Sequence, residues 1–228
     1  MPNTLTRELH AHPLRWGVAG LCLLMFIPGL DLGFSRLFYE DGAGFFLGRH
    51  EFLRFVREAV PVIILGSALF CLLLWIAGVA CRQSFLGMTT RNIAFLATTL
   101  AVGPGLLVET LLKSYWGRAR PNDTVYFGGE AAFSPPVWIA QECSHNCAFV
   151  SGHAALAFWT CAYGFFLPVP WRRRAIAAGL TFGGAVGLVR VMQGAHFLSD
   201  VVFAGALVLV VNTLAAKLFL DLAEKPAS

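Results

Sequence analysis

Long apolar runs without charge constrain the fold of this chain more than any other feature. The clearest extends from Ala59 to Cys81 and contains no Asp, Glu, Lys or Arg. A helix needs about 20 residues to cross a hydrocarbon core, so this run is long enough to span a bilayer. The whole chain is 57% hydrophobic and 13% charged, whereas an average soluble domain is about 25% charged. The composition therefore argues against an ordinary soluble protein and favours a membrane protein.

Five further apolar runs reach spanning length when flanking residues are included. The run after Arg7 and Arg15 is similar to a secretory signal, but no small-x-small cleavage site follows it, so we interpret it as the first span. No repeat, low-complexity segment or alternating strand pattern is visible. We predict an all-α polytopic membrane protein in which residues 1–228 form a single domain, with six transmembrane helices in one bundle and the active site at one membrane face. The predicted spans are 14–34, 59–81, 92–112, 152–168, 174–191 and 197–218.

Two details of these spans predict local structure. Pro104, flanked by Gly103 and Gly105, predicts a kink in the third helix. The segment "EFLRFVREAV" at 51–60 has apolar side chains on one helical face and charged side chains on the other. It is either an amphipathic helix on the membrane surface or an extension of the second span, and the sequence does not distinguish the two.

The distribution of Lys and Arg bears on orientation. Six crossings put nine of these cations on the side of the termini and eight on the other. Lys113, Arg120 and Arg190 would be needed by a site. Without them, nine cations remain on the side of the termini and five on the other. The "WRRR" sequence at 171–174 lies in a short loop on the richer side. Since short cytoplasmic loops carry excess positive charge, we expect cytoplasmic termini.

Three polar clusters lie at the ends of predicted spans: "KSYWGRARP" at 113–121, "VSGH" at 150–153 and "VRVMQGAHFLSD" at 189–200. No predicted span separates the first cluster from the second, and two separate the second from the third. All three clusters should therefore emerge on the same membrane face, whichever way the protein is inserted.

The clusters bring together the side chains that phosphate chemistry needs. Lys113, Arg120 and Arg190 would repel one another unless an anion lies between them, and phosphate suits arginine forks and a lysine point charge. The helix start at Ser151 and Gly152 adds free backbone N–H groups and a close approach for the ligand. Ser151 is equally well suited to a helix cap.

The two histidines of the clusters are suited to different catalytic roles. His196 and Asp200 are four residues apart, so they share a helical face and the carboxylate can orient the imidazole as a nucleophile. His153, on another helix, can protonate a leaving group. Taken singly, each has an ordinary explanation: an interfacial histidine, or a structural His–Asp pair.

The three clusters resemble the signatures of the type 2 phosphatidic acid phosphatase superfamily of membrane lipid phosphatases. The match is to K-x6-R-P, P-S-G-H and S-R-x5-H-x3-D, in the same order and spacing. The resemblance implies that His196 forms a phosphohistidine, that Asp200 orients it and that His153 acts as general acid and then activates water. It also implies no metal or other cofactor, and a phosphate-binding set of Lys113, Arg120, Ser151, Gly152 and Arg190.

Two positions depart from these signatures. Val150 replaces the usual proline, which should alter only the entry to the fourth helix. Val189 replaces the usual serine and removes a hydroxyl that could share in phosphate binding.

Two charged residues lie near or within the first signature. Glu109 is one turn before Lys113 and is either its partner or a structural carboxylate. Arg118 lies outside the motif spacing, and we interpret it as solvated or in contact with a lipid headgroup.

The loop at 122–150 joins the first two clusters and should cover the site. It contains Cys143 and Cys147 with His145 between them. A zinc site lacks a fourth ligand nearby, so we expect no metal here. A disulfide is favoured if this face is oxidising, and free thiols are the alternative.

The resemblance implies a lipid phosphatase in a bacterial inner membrane, with its site on the periplasmic or outer face. Its expected partners are the bilayer and a phosphorylated lipid, with no nucleic acid. The loop and the segment "PGLDLGFSRLFYEDGAGFF" at 28–46 are most similar to members that act on lipid A. Phosphatidylglycerol phosphate, phosphatidic acid and undecaprenyl diphosphate are alternative substrates. A phosphotransferase to another lipid and a non-enzymatic anion-binding or transport protein are alternative functions.

Overall fold

The computed structural model describes residues 13–27 and 29–220, and most of these residues are helical. One antiparallel hairpin, β1 (Tyr39–Glu40) with β2 (Gly44–Phe45), interrupts the helices, although the sequence shows no strand pattern. Short 3-10 turns cover Pro121–Asp123 and Val125–Phe127. The helices are α1 (Pro13–Leu24), α2 (Leu30–Arg36), α3 (Glu51–Cys81), α4 (Thr90–Tyr115), α5 (Gly152–Trp159), α6 (Ala162–Phe165), α7 (Val169–Met192) and α8 (Leu198–Phe219).

Within the described residues, four helices are long and apolar enough to cross a membrane: α3, α4, α7 and α8. They correspond to the second, third, fifth and sixth predicted spans. The other two predicted spans are each divided. Gly29 has φ 82 and separates α1 from α2, and a turn at Thr160 and Cys161 separates α5 from α6. The membrane character of the chain is thus confirmed, whereas the six-helix bundle stays a prediction.

Helix α3 decides between the two interpretations of segment 51–60. It begins at Glu51 and continues without a break to Cys81, so this segment extends the second span and is not a separate surface helix. At 1.5 Å per residue its 31 residues measure about 46 Å, against a hydrocarbon core of about 30 Å. The first turns, which carry the charges, therefore extend beyond the apolar run.

Helix α4 changes its winding around Pro104. It is α-helical over Thr90–Leu100, π-helical over Ala101–Leu112 and α-helical again over Lys113–Tyr115. A proline inside an α-helix removes one hydrogen bond and clashes with the carbonyl four residues earlier. The wider π winding occurs where that conflict arises, and it continues to the residue before Lys113.

Glycines on one face of α7 let neighbouring helices approach closely. A Cβ added at Gly183 would lie 2.2 Å from the ring of Phe158 on α5, and one at Gly187 would lie 2.2 Å from Val201 on α8. Gly179, one turn earlier, faces Cys161 in the same way. Small residues spaced four apart are a usual basis for close helix packing in membranes. This packing brings the end of α7 beside the starts of α5 and α8.

The β1–β2 hairpin and the start of the 122–150 loop cover the turn between α7 and α8. Gly194 has φ 68, and a Cβ there would lie 2.3 Å from the ring of Phe45, so this position needs glycine for both conformation and space. The backbone N–H of Asn122 donates to the carbonyl of Gly194 at 3.1 Å. The hairpin and the start of the 122–150 loop thus fix the turn that carries His196.

Candidate active site

One cavity of about 500 Å³ collects side chains from all three polar clusters. The first cluster contributes from the end of α4 and the residues just after it, the second from the start of α5, and the third from the end of α7 and the turn that follows it. Helix α3 and the 122–150 loop complete the wall. The lining residues are Arg57, Glu109, Lys113, Ser114, Arg120, His145, Asn146, His153, Arg190 and His196.

Lys113 and Glu109 form an ion pair in this cavity. Lys113 Nζ donates to Glu109 Oε1 at 2.8 Å, which confirms the pairing of the two residues. Lys113 is buried, whereas the side chain of Glu109 is 54% exposed. A Cβ added at Gly152 would lie 1.9 Å from Glu109 Oε1 and 2.8 Å from Lys113 Nζ. Gly152 therefore leaves the space that this ion pair occupies.

The two arginines of the motifs are each anchored by a single neutral group. Arg120 Nη2 donates to the backbone carbonyl of Asn146 at 2.7 Å, and Arg190 Nη1 donates to the side-chain oxygen of Gln193. Arg190 is buried, and its Nε has no hydrogen-bond partner among the described residues. Both guanidinium groups thus retain donors for an anion, with no carboxylate paired to either in the described part of the chain.

His196 is buried, and its protonation pattern follows from its backbone partner. Its Nδ1 lies 2.8 Å from the carbonyl oxygen of Ala148. A carbonyl can only accept, so Nδ1 carries the proton and Nε2 keeps its lone pair. Burial lowers the pKa of His196, and the charges of Arg190 and Lys113 lower it further, while Asp200 opposes the shift. The neutral imidazole is therefore the favoured form.

Asp200 is further from this imidazole than the sequence spacing suggests. Its Oδ2 is 3.7 Å from Nδ1 of His196, beyond a hydrogen bond. Both carboxylate oxygens have other donors: Oδ1 accepts from Arg118 Nη1 at 2.5 Å, and Oδ2 accepts from the backbone N–H of Phe197 at 2.7 Å. Asp200 thus acts on His196 through its charge and by capping the start of α8.

The interpretation of Arg118 as a solvated or headgroup-contacting residue is wrong. Arg118 is fully buried and forms ion pairs with Asp200 and with Asp31 on α2, the latter at 2.7 Å. It also donates to the hydroxyl of Ser199 at 2.8 Å and lies 4.5 Å above the ring of Phe197. The motif spacing gives no sign of this role, because Asp31 lies 87 residues away in sequence.

Ser151 and Gly152 do not line the cavity. The hydroxyl of Ser151 caps α5 by accepting from the backbone N–H of Ala154 at 3.4 Å, and its own N–H donates to the carbonyl of Asp200 at 3.2 Å. Val189 also lies outside the lining, and Val150 is buried. In this structure Ser151 therefore has the cap role that its position at the helix start allows.

A disulfide joins Cys143 to Cys147, whose Cα atoms are 5.6 Å apart. The backbone N–H of Cys147 donates to the carbonyl of Lys113 at 3.2 Å, which attaches the loop to the end of α4. Between the two cysteines, His145 and Asn146 line the cavity. Among the described residues, no group of three or more His, Cys, Asp or Glu side chains could hold a metal ion.

Sequence reasoning misses several lining residues. The sequence pattern places Arg57 only on the polar face of an amphipathic segment, and it suggests His145 only as a metal ligand. Ser114 and Asn146 adjoin residues that the pattern singles out, but neither belongs to a signature. Hydropathy and motif spacing carry no signal for these side chains, because their places depend on which helix or loop lies opposite.

Comparisons with known proteins agree on one family. The model of the PAP2 superfamily matches residues 92–222, a range that contains all three clusters. The chain is 34% identical over 194 residues to a lipid A 4'-phosphatase of Francisella tularensis subsp. novicida (strain U112), covering 82% of this chain and 84% of the relative. It is 32% identical over 215 residues to a lipid A 4'-phosphatase of Rhizobium leguminosarum, covering 84% and 88%. No solved structure matches the chain.

Proposed function

The chain belongs to the PAP2 superfamily, and from this premise we propose that it is a membrane phosphatase that hydrolyses a phosphate monoester on a lipid headgroup, with lipid A as the favoured substrate. The observation that carries the proposal is that Lys113, Arg120, His153, Arg190 and His196 line one cavity. Relatives similar over most of the chain are lipid A 4'-phosphatases, which favours the same lipid here.

The first chemical step uses the free Nε2 of His196. Its lone pair attacks the phosphorus atom, and the bond from phosphorus to the lipid oxygen breaks. His153, in its protonated form, gives a proton to the departing lipid oxygen. Lys113, Arg120 and Arg190 stabilise the charge that develops on the other phosphate oxygens. The products of this step are the lipid alcohol and phosphohistidine.

The second step restores the enzyme. His153, now neutral, takes a proton from a water molecule whose oxygen attacks the phosphorus atom. The bond between phosphorus and Nε2 of His196 breaks, and inorganic phosphate leaves. Throughout, the bond from Nδ1 of His196 to the carbonyl of Ala148 keeps the attacking nitrogen free of a proton. Ser151 and Gly152 support the site from the start of α5.

The direction of the helices supports a membrane crossing by α5 and α6. Lys113 lies in the last turn of α4 and Arg190 in the last turn of α7, yet both line the same cavity. Helices α4 and α7 follow one another among the four described helices of spanning length. Because both end on the same face, the chain must cross the membrane once between them. We assign this crossing to α5 with α6 and the first crossing to α1 with α2, which gives six in a single domain.

We assign the site to the periplasmic or outer face of a bacterial inner membrane and the termini to the cytoplasm. The excess of Lys and Arg on the terminal side supports this orientation. The disulfide beside the cavity agrees with it, because disulfides persist in oxidising compartments such as the periplasm.

Phosphate release from purified lipid A by the wild-type protein and by His196→Ala tests the proposed function. We expect the wild type to release inorganic phosphate and the variant to lose nearly all of this activity. His50→Ala is a matched control, since His50 is exposed and does not line the cavity. Equal release by wild type and His196→Ala would contradict the role of His196 as nucleophile, and no release by the wild type would favour anion binding or transport.

A further inference from the structure

Arg57 lines the catalytic cavity from outside the three signatures. It lies in the second turn of α3, in the charged segment that precedes the apolar run from Ala59 to Cys81. The extension of α3 beyond that run is what brings Arg57 to the cavity. Its side chain is 45% exposed, so it lies at the mouth, whereas Lys113 and Arg190 are buried.

The cavity carries more positive charge than one phosphate needs. Four permanent cations line it, Arg57, Lys113, Arg120 and Arg190, together with one carboxylate, that of Glu109. Glu109 is already paired with Lys113. A phosphate monoester brings between about one and a half and two negative charges at neutral pH. The three motif cations suffice for that phosphate, and Arg57 adds a further positive charge to the cavity.

Within the described part of the protein, Arg57 has only a weak counter-ion. Its only ion pair among the described residues is with Glu58 on the same helix, at 3.4 Å between exposed side chains, and such pairs contribute little. Arg57 also lines the same cavity as the like charges of Arg120 and Arg190. A cation placed against like charges is stabilised when an anion enters between them.

We propose that Arg57 binds a second phosphate group on the headgroup of the same lipid, at the mouth of the cavity, while the motif residues bind the phosphate that reacts. This inference rests on the proposed function. A guanidinium is suited to the task because it binds two phosphate oxygens at once. Arg57 therefore selects for lipids whose headgroup carries two phosphates.

The test compares two substrates in the purified full-length protein: lipid A with two phosphates, and lipid A with only the cleavable phosphate. Arg57→Ala should raise KM for the first about tenfold more than for the second, as expected for a charged hydrogen bond of about 1.4 kcal/mol. Arg57→Lys should recover part of this difference, because it keeps the charge and loses the fork. Arg54→Ala, one turn earlier and outside the cavity lining, should leave both KM values unchanged.

Two results would overturn the inference while leaving the phosphatase assignment intact. Equal rises in KM for the two lipids would mean that Arg57 serves the reacting phosphate, and no rise for either would mean that it serves neither. If wild type hydrolysed neither lipid, the lipid A assignment itself would be wrong and the inference would fall with it.

Discussion

His196 owes its proposed reactivity to a backbone carbonyl. A carboxylate at hydrogen-bond distance could take the proton from the imidazole or share it. The carbonyl of Ala148 can only accept a hydrogen bond, so the proton stays on Nδ1. The 2.8 Å contact therefore fixes the tautomer, and Asp200 at 3.7 Å adds negative charge without competing for the proton. The carbonyl of Ala148 thus positions the imidazole, and Asp200 supplies the negative charge near it.

The lowered pKa of His196 predicts how activity depends on pH. In the proposed mechanism the neutral imidazole of His196 attacks, and burial lowers its pKa from the ordinary value of 6.5. On the acid side, kcat/KM should fall only as Nε2 becomes protonated, with a midpoint below pH 6.5. A profile of kcat/KM between about pH 5 and pH 8 measures this midpoint. An acid limb centred above pH 6.5 would contradict the assignment of His196 as a neutral nucleophile.

The buried ion pairs of Arg118 predict a large loss of stability. In Arg118→Met the carboxylates of Asp31 and Asp200 lose their shared cation, which we expect to cost about 3–5 kcal/mol. Arg36→Met is the matched control, because Arg36 pairs with Asp41 at the same 2.7 Å but at the surface, where a pair contributes about 0–1 kcal/mol. Thermal unfolding in detergent measures both variants. Similar midpoints for the two would show that the buried pairs contribute little.

At the scale of single residues, the sequence predicts the ionisable groups of the site and misses their supports. Motif spacing indicates that Lys113, Arg120, His153, Arg190 and His196 act together, and all five line one cavity. The supporting contacts depend on chain segments far apart in sequence. No periodicity within one segment can identify such partners.

Among the elements, α7 depends most visibly on glycine. Gly183 faces the ring of Phe158, whereas its neighbour Gly184 has no atom within 4 Å of an added Cβ. Gly183→Ala should therefore destabilise the protein by about 1–3 kcal/mol through overpacking. Gly184→Ala should be neutral or stabilising by up to about 1 kcal/mol, because alanine favours the helix.

The same unfolding measurement in detergent distinguishes the two glycines. We expect a lower midpoint for Gly183→Ala alone. Equal midpoints for the two alanine variants would show that close approach of α5 to α7 does not depend on this glycine.

Hydropathy predicts the long elements and fails where a span is divided. The second, third, fifth and sixth runs are helices of spanning length, since burying an apolar helix in lipid is favourable along its whole length. The first and fourth runs are also rich in apolar residues, yet they are broken at Gly29 and at Thr160 with Cys161. A composition average does not respond to a single left-handed residue or a local turn.

For the whole molecule, the decisive property is that helix ends from distant parts of the chain meet. The ends of α4 and α7 and the starts of α5 and α8 converge, with glycines permitting the close approach of α5, α7 and α8. The number of predicted crossings between the polar clusters is enough to indicate this convergence. It cannot indicate that α3 adds a further cation, because that depends on how far a helix extends beyond the bilayer.

The most direct test of the central claim, that the converging helix ends poise His196 for attack on phosphorus, is to trap the covalent intermediate. Wild-type protein mixed with lipid A carrying radiolabelled phosphate should, after rapid quenching in base, retain label on a peptide containing His196. His196→Ala should retain none. Label on another residue, or no label in wild type during active turnover, would contradict the claim.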